Sequence, residues 1–259
     1  MPKMTGARFI AETFQGYGVT HVFFMPMIVT KSLYEMEQLG IRRIMTHGEK
    51  AAAYMADGYA RVRRGAGICM AQSVGAANLA AGLQDAYLAC SPVIAMTGRR
   101  TQIKQQRNAY QEIDHTGPFS AVTKYHALIN QPEQLPYLLR QAFREAASGT
   151  PGPVHLDLEG LNGWVVCDGE ADLHVVVEQP FTYVPPFRPE PELSAVREAI
   201  RLLTEAKRPV IIAGGGVTWS QAGPELVELA ERLSIPVATS LNNCTLWALS
   251  GNSGCKASW

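Results

Sequence analysis

Short apolar runs alternate with stretches of helical period along most of this chain, and that alternation constrains the fold more than any other feature. Thr5 to Tyr17 carries Phe9, Ile10, Thr13, Phe14 and Tyr17 at helical spacing, with Gly18 placed to end the helix. His21 to Met25 is a short apolar run broken by Pro26, the pattern of a buried strand. A helix over Lys31 to Leu39, a strand over Ile41 to Met45, a helix from Glu49 and a strand over Ile68 to Ala71 follow. Then come a helix over Asn78 to Ala89 and a strand over Pro92 to Met96. Gln131 to Ser148 reads as a long amphipathic helix, with Leu135, Leu138, Leu139, Ala142, Phe143 and Ala146 on one side, and Pro153 to Leu158 as another strand. The alternation predicts an α/β fold: a doubly wound parallel sheet covered on both faces. Ligands of such sheets sit beyond the carboxyl ends of the strands. Those ends carry Pro26-Met27, Thr46 to Glu49, Gln72 to Asn78 and Thr97 to Arg100.

The pattern lapses after residue 160. Pro180, Pro185, Pro186, Pro189 and Pro191 cluster there, and residues 161–190 are expected to be a linker between a first domain, 1–160, and a partial second one, 191–259. Helix, strand, Gly214-Gly215-Gly216 turn, helix and strand then recur from Glu192 to Ser240, as in an incomplete Rossmann-like domain. From Asn242 to Trp259 no clean period remains, and a truncated or frame-shifted product is the expectation for this tail.

Bulk properties exclude several classes. Lys+Arg and Asp+Glu both total 23, so nothing marks a nucleic-acid or anionic-membrane binder. At 47% hydrophobic residues the chain can bury a real core, yet no stretch is long enough to span a bilayer. Five cysteines without a CxxC pair indicate neither a disulfide framework nor a zinc site, and a cytoplasmic setting is expected. His115 and His126 have no partners at metal-ligand spacing and read as surface or packing residues, so no metal site is expected in this chain.

The richest segment is Thr46-His47-Gly48-Glu49-Lys50-Ala51-Ala52-Ala53-Tyr54-Met55-Ala56-Asp57-Gly58-Tyr59-Ala60-Arg61. A carboxylate opens a helix of mostly small residues, which lets a backbone or a flat ligand come close. Thr46 and Glu49 also have the spacing of a capping box, a purely structural use. The segment resembles the N-terminal, pyrimidine-binding domain of thiamine-diphosphate enzymes of the acetolactate synthase and benzoylformate decarboxylase group. The match rests on Glu49, Ala52, Gly58, Tyr59, Ala60 and Arg61.

Three further segments carry the resemblance. In Gln72-Ser73-Val74-Gly75-Ala76-Ala77-Asn78-Leu79, against the family's Ser-Gly-Pro-Gly-Ala-Thr-Asn-Leu, Gly75, Ala76, Asn78 and Leu79 match, while Ser73 and Val74 replace Gly and Pro. In Val22-Phe23-Phe24-Met25-Pro26-Met27, against Val-Phe-Gly-x-Pro-Gly, Val22, Phe23 and Pro26 match, while Phe24 and Met27 replace glycines and suggest a differently shaped, more apolar pocket. Tyr110-Gln111-Glu112 is similar to Phe-Gln-Glu, and Lys124 falls on another family position.

The resemblance implies a thiamine diphosphate site to which Pro26, Glu49, Gly75 and Asn78 contribute, with Gln111 on the substrate side. Glu49 would be the catalytic carboxylate, hydrogen-bonded to pyrimidine N1′ and favouring the tautomer whose nitrogen takes the proton from thiazolium C2. The family holds the diphosphate and Mg²⁺ on a C-terminal domain bearing Gly-Asp-Gly and Asn-Asn. This sequence has Cys167-Asp168-Gly169 instead, and its Asn242-Asn243 is elsewhere. FAD occupies the central domain of acetolactate synthases, but relatives without FAD share the Gly-rich turn.

The implied activity is decarboxylation of a 2-oxo acid and transfer of the two-carbon unit, in a homodimer or tetramer whose sites form between subunits. A 2-oxo acid decarboxylase or other thiamine-diphosphate lyase is one alternative, and a truncated, non-catalytic binding module the other.

Overall fold

A computed structural model describes residues 3–240, which fall into two compact units with their boundary between Pro186 and Phe187. In the first unit the elements run β1 (Met4–Thr5), α1 (Gly6–Gly16), β2 (His21–Phe24), α2 (Thr30–Gln38), β3 (Arg42–Met45), α3 (Glu49–Arg63), β4 (Gly67–Ala71), α4 (Ala76–Gly82) and α5 (Gln84–Leu88). They continue with β5 (Val93–Arg99), α6 (Thr116–Ser120), β6 (Tyr125–Ile129), α7 (Leu135–Ala147), β7 (Val154–Glu159), α8 (Trp164–Asp168) and β8 (Glu170–Ala171). Six strands form one sheet in the order β3-β2-β4-β5-β7-β6, every neighbouring pair parallel. This is the doubly wound sheet that the alternation predicts.

Alternation along the central strands divides the core in two. Ile68, Met70, Ile94 and Met96 point to one face, where Phe9, Ile10 and Phe14 of α1, Met36 of α2 and Leu139 and Phe143 of α7 cover them. Cys69, Ala71, Val93 and Ala95 point to the other face, beneath Ala52, Ala53, Ala56 and Ala60 of α3 and Leu79 of α4. The first face is built on large side chains; Tyr17 stacks on Phe143 with ring centroids 3.8 Å apart. The second is built on small ones. A Cβ on Gly67 would lie 2.1 Å from the Ala56 carbonyl oxygen, and one on Gly82 would lie 2.8 Å from Ala53 Cβ. Alanines on α3 therefore serve close backbone packing against β4 and α4.

Two expectations need correction, and one strand has no counterpart in the sequence pattern. The proposed linker does not hang free: α8 and β8 lie in it, β8 pairs antiparallel with β1, and Val166, Cys167, Ala171, Leu173 and Val184 are buried. Apolar residues spaced among the prolines gave these turns a core to join. Strand β6 has no clear signal in the sequence because Tyr125-His126-Ala127-Leu128-Ile129 mixes polar and apolar residues at the sheet edge. The helix expected over 78–89 divides into α4 and α5 and is preceded by a 3₁₀ turn over Ser73–Gly75.

In the second unit β9 (Ile211–Ala213) pairs parallel with β10 (Val237–Thr239), and α9 (Leu193–Glu205), α10 (Gly215–Trp219) and α11 (Gly223–Leu233) accompany them. The glycine turn is thus the start of a short helix. Asn242-Asn243 and the atypical tail lie outside the described residues.

Candidate active site

The carboxyl ends of β2, β3 and β4 are held side by side. Thr46 N–H donates to the Phe24 carbonyl at 3.0 Å and Met25 N–H to the Met70 carbonyl at 3.1 Å. The chain beyond β3 must therefore turn into α3 beside the turn that follows β4. Glu49 is the first residue of α3, half-buried, with Gly48 as an extended N-cap. The capping box does not form. Thr46 is still tied to the strand, and its hydroxyl donates to the Gly48 carbonyl at 2.9 Å instead of accepting from the helix. The Glu49 carboxylate is left uncommitted to its own helix.

That carboxylate reaches across to the β4–α4 turn. Asn78 Nδ2 donates to Glu49 Oε2 at 3.3 Å. A Cβ on Gly75 would fall 2.4 Å from Glu49 Oε1, so the absence of a side chain makes room for the carboxylate. Glu49, Gly75 and Asn78, named separately in the sequence, thus meet. Pro26 follows β2 at the same sheet edge and is exposed. Met27 beside it adopts φ 70°, the left-handed region that favours glycine, at a strain of about 1 kcal/mol. Met27 is 61% exposed, while Phe24 packs against the core.

Gln111 comes close through its backbone. Ser73 Oγ donates to the Gln111 carbonyl at 2.7 Å, and Gln111 itself sits at φ 60°. Its Nε2 donates to the Tyr110 hydroxyl oxygen at 3.0 Å, and its buried Oε1 has no hydrogen-bond partner. Glu112 next to it is structural: its carboxylate accepts the backbone N–H groups of Gln106, Arg107 and Ala109, which hold it below the usual carboxylate range. Lys124 is structural too. Its ammonium donates to the carbonyls of Glu145, Ser148 and Thr150, closing the end of α7.

Two motif residues also serve packing. Arg61 clasps the buried Asp57 one helical turn earlier through two hydrogen bonds of 2.8 and 2.7 Å. Tyr59 and Thr20 hydroxyls meet at 2.6 Å. Asp168 pairs with Lys31 at 2.9 Å and the Gly169 carbonyl accepts from Gly6 N–H, so this Asp-Gly pair belongs to the fold.

His115, read from the sequence as a surface or packing residue, is buried. It is 2% exposed, with Nδ1 3.1 Å from both oxygens of the buried Asp157. His155 is fully buried beside it; burial and the neighbouring His126 and His115 push its pKa well below the ordinary histidine value. Burial also lowers that of His126. Strand alternation in Val154-His155-Leu156-Asp157 offered a signal, since polar residues take the covered second face. Among the described residues no group of three or more His, Cys, Asp or Glu is placed to hold a metal ion, and no helix is long and apolar enough to cross a membrane.

Residues 4–117 match the model of the thiamine pyrophosphate enzyme N-terminal TPP binding domain, and residues 196–246 that of the central domain. A probable acetolactate synthase large subunit of Methanocaldococcus jannaschii is 39% identical over 242 residues, covering 92% of this chain and 40% of the relative. An acetolactate synthase of Arthrospira platensis is 34% identical over 250 residues, covering 92% of this chain and 42% of the relative. The acetolactate synthase large subunit of Corynebacterium glutamicum is 34% identical over 244 residues, at 92% and 38%. The chain thus spans about two fifths of the length of these relatives.

Proposed function

The chain belongs to the thiamine pyrophosphate enzymes, and from that premise we propose that it supplies the pyrimidine-binding half of an acetolactate-synthase-like site. The observation that carries this reading is the Glu49 carboxylate, free of its own helix cap and set against Gly75 and Asn78. A half-buried acceptor flanked by a side-chain-free glycine and an exposed amide suits a flat nitrogen heterocycle. The residues present therefore fit thiamine diphosphate.

When bound, thiamine diphosphate supplies the carbon centre that stabilises the fragment left by decarboxylation of a 2-oxo acid. Glu49 accepts a hydrogen bond from the pyrimidine N1′ position and exchanges that proton, which Gln could not do. Asn78 holds the carboxylate in place, Gly75 leaves room for it, and Pro26 shapes the adjoining sheet edge. Gln111 would lie on the substrate side of the cofactor. The substrate is a small 2-oxo acid such as pyruvate.

Mg²⁺ and the diphosphate are assigned to the part of the relatives that this chain does not span. The Gly214-Gly215-Gly216 run opens a helix of 5 residues and continues as Val217-Thr218-Trp219, not the Gly-x-Gly-x-x-Gly of a dinucleotide turn, so FAD is left out of the proposal. Assembly as a homodimer or tetramer in the cytoplasm completes the reading.

The test is a nuclear magnetic resonance titration of this chain with thiamine diphosphate and Mg²⁺. A half-site that lacks the diphosphate contacts should bind with a Kd on the order of millimolar. Saturable shifts at Glu49, Gly75 and Asn78, lost in Glu49→Ala, support the reading. Saturation without those shifts, or no change through the millimolar range, overturns it.

A further inference from the structure

A continuous set of buried polar groups runs from the sheet to the Glu49 site. Thr97 Oγ1 donates to Asp157 Oδ1 at 2.7 Å, so it must accept from His155 Nε2–H, also at 2.7 Å. His155 Nδ1 then accepts from His126 Nδ1–H at 2.8 Å. On the other side, Asp157 holds His115 Nδ1 through a shared hydrogen at 3.1 Å. Ser73 Oγ has only one hydrogen, and it goes to the Gln111 carbonyl at 2.7 Å. His115 Nε2 consequently faces two acceptors, the Ser73 carbonyl at 3.2 Å and Ser73 Oγ at 3.3 Å, and must itself carry a hydrogen. Ser73, Thr97, His115, His155 and Asp157 are all buried. Such a network fixes geometry because each lost bond strands a desolvated partner.

The turn at its end needs an anchor. Where the resembled pattern has Gly-Pro, this chain has Ser73-Val74. Proline restricts the backbone by its ring, whereas the exposed Val74 does not. Yet the next residue, Gly75, must stay within contact of the Glu49 carboxylate.

We propose that Ser73 and His115 are positioning residues: anchored to the sheet through Asp157, they hold the Ser73–Gly75 turn against Glu49 and fix the backbone of Gln111. The assignment of Glu49 as catalytic is taken from the functional proposal above. The anchoring itself can be measured without any cofactor.

Hydrogen exchange at the Gly75 amide, which donates to the Gln72 carbonyl at 2.9 Å, reports the turn; that at Ile94 in β5 reports global opening. Ser73→Ala keeps the Asp157–His115 pair and should fold; His115→Ala removes the pair's inner partner. Each should speed Gly75 exchange about tenfold relative to Ile94. Adding Val74→Pro to Ser73→Ala should restore slow exchange, because the ring restricts the turn's backbone in place of the lost hydrogen bond. Nitrogen-15 spectra should show a hydrogen on His115 Nε2. Unchanged Gly75 exchange in Ser73→Ala, failure of the proline rescue, or a bare Nε2 overturns the proposal. Failure of the thiamine diphosphate titration with the exchange results intact would instead remove the catalytic reading and leave the anchor standing.

Discussion

The Glu49 carboxylate occupies the place where a side chain on Gly75 would begin: a Cβ there would lie 2.4 Å from Oε1 and 2.8 Å from Cδ. Residues on two different βα connections are thus fitted to each other, and neither has the freedom its own sequence suggests.

Gly75→Ala follows from that contact. Gly75 has φ −79°, so alanine causes no backbone strain, and the clash is with the end of a flexible side chain. Stability should fall by no more than about 1 kcal/mol by chemical denaturation, because Glu49 can swing away. Thiamine diphosphate shifts at Glu49 should disappear. A Gly75→Ala protein that keeps them would show that the contact is not needed.

Glu49→Gln tests the proton role. In an enzyme spanning the relatives' full length, turnover should drop at least about a hundredfold, since an amide can hydrogen-bond but cannot exchange the proton. Circular dichroism and melting temperature should stay near those of the parent. Retained turnover would take Glu49 out of the chemistry.

Gly67→Ala is expected to act purely on stability. The added methyl would meet the backbone carbonyl of Ala56 at 2.1 Å, and neither strand nor helix can yield locally. Pushing α3 off β4 should cost about 3 kcal/mol, read from the denaturation midpoint. A variant as stable as the parent would mean that α3 is less tightly seated on the sheet than described.

Acid should destabilise the first unit through His155. Its folded pKa is well below the ordinary value because burial disfavours the charged ring, while the unfolded ring titrates near about 6.5. Above that pH both states are neutral and stability does not depend on this group. As pH falls below it, the unfolded state binds the proton first, and stability declines by up to about 1.4 kcal/mol per pH unit. Urea denaturation between pH 8 and pH 5, on the order of the histidine range, checks this. His155→Gln should flatten the decline, and an unchanged slope would assign it to other groups.

How much of this was legible in advance varies with the element. Helices α1, α2 and α7 were readable because one face of each carries apolar residues at helical spacing, and strands β4 and β5 because a central parallel strand holds a continuous apolar run, Ile68 to Ala71 and Val93 to Met96. Strand β6 and the buried segment after residue 160 were not. Their apolar residues are spaced irregularly and acquire meaning only against the rest of the fold. At the site, Glu49, Gly75 and Asn78 could be named by pattern. His115 could not, since a histidine in a polar stretch gives no sign that Asp157 waits 42 residues later.

The sequence by itself determined the alternating architecture and the two-faced sheet, and with them the strand ends at which a ligand is expected. Hydrophobic period and glycine placement are local properties, and they act over a few residues. Only the tertiary structure decided that Thr46 stays with the strand and leaves Glu49 uncapped, that the carboxylate is fitted to Gly75, and that a histidine–aspartate pair is buried behind the same turn. Those outcomes depend on which strands become neighbours, and the order β3-β2-β4-β5-β7-β6 is a choice made by the whole core at once.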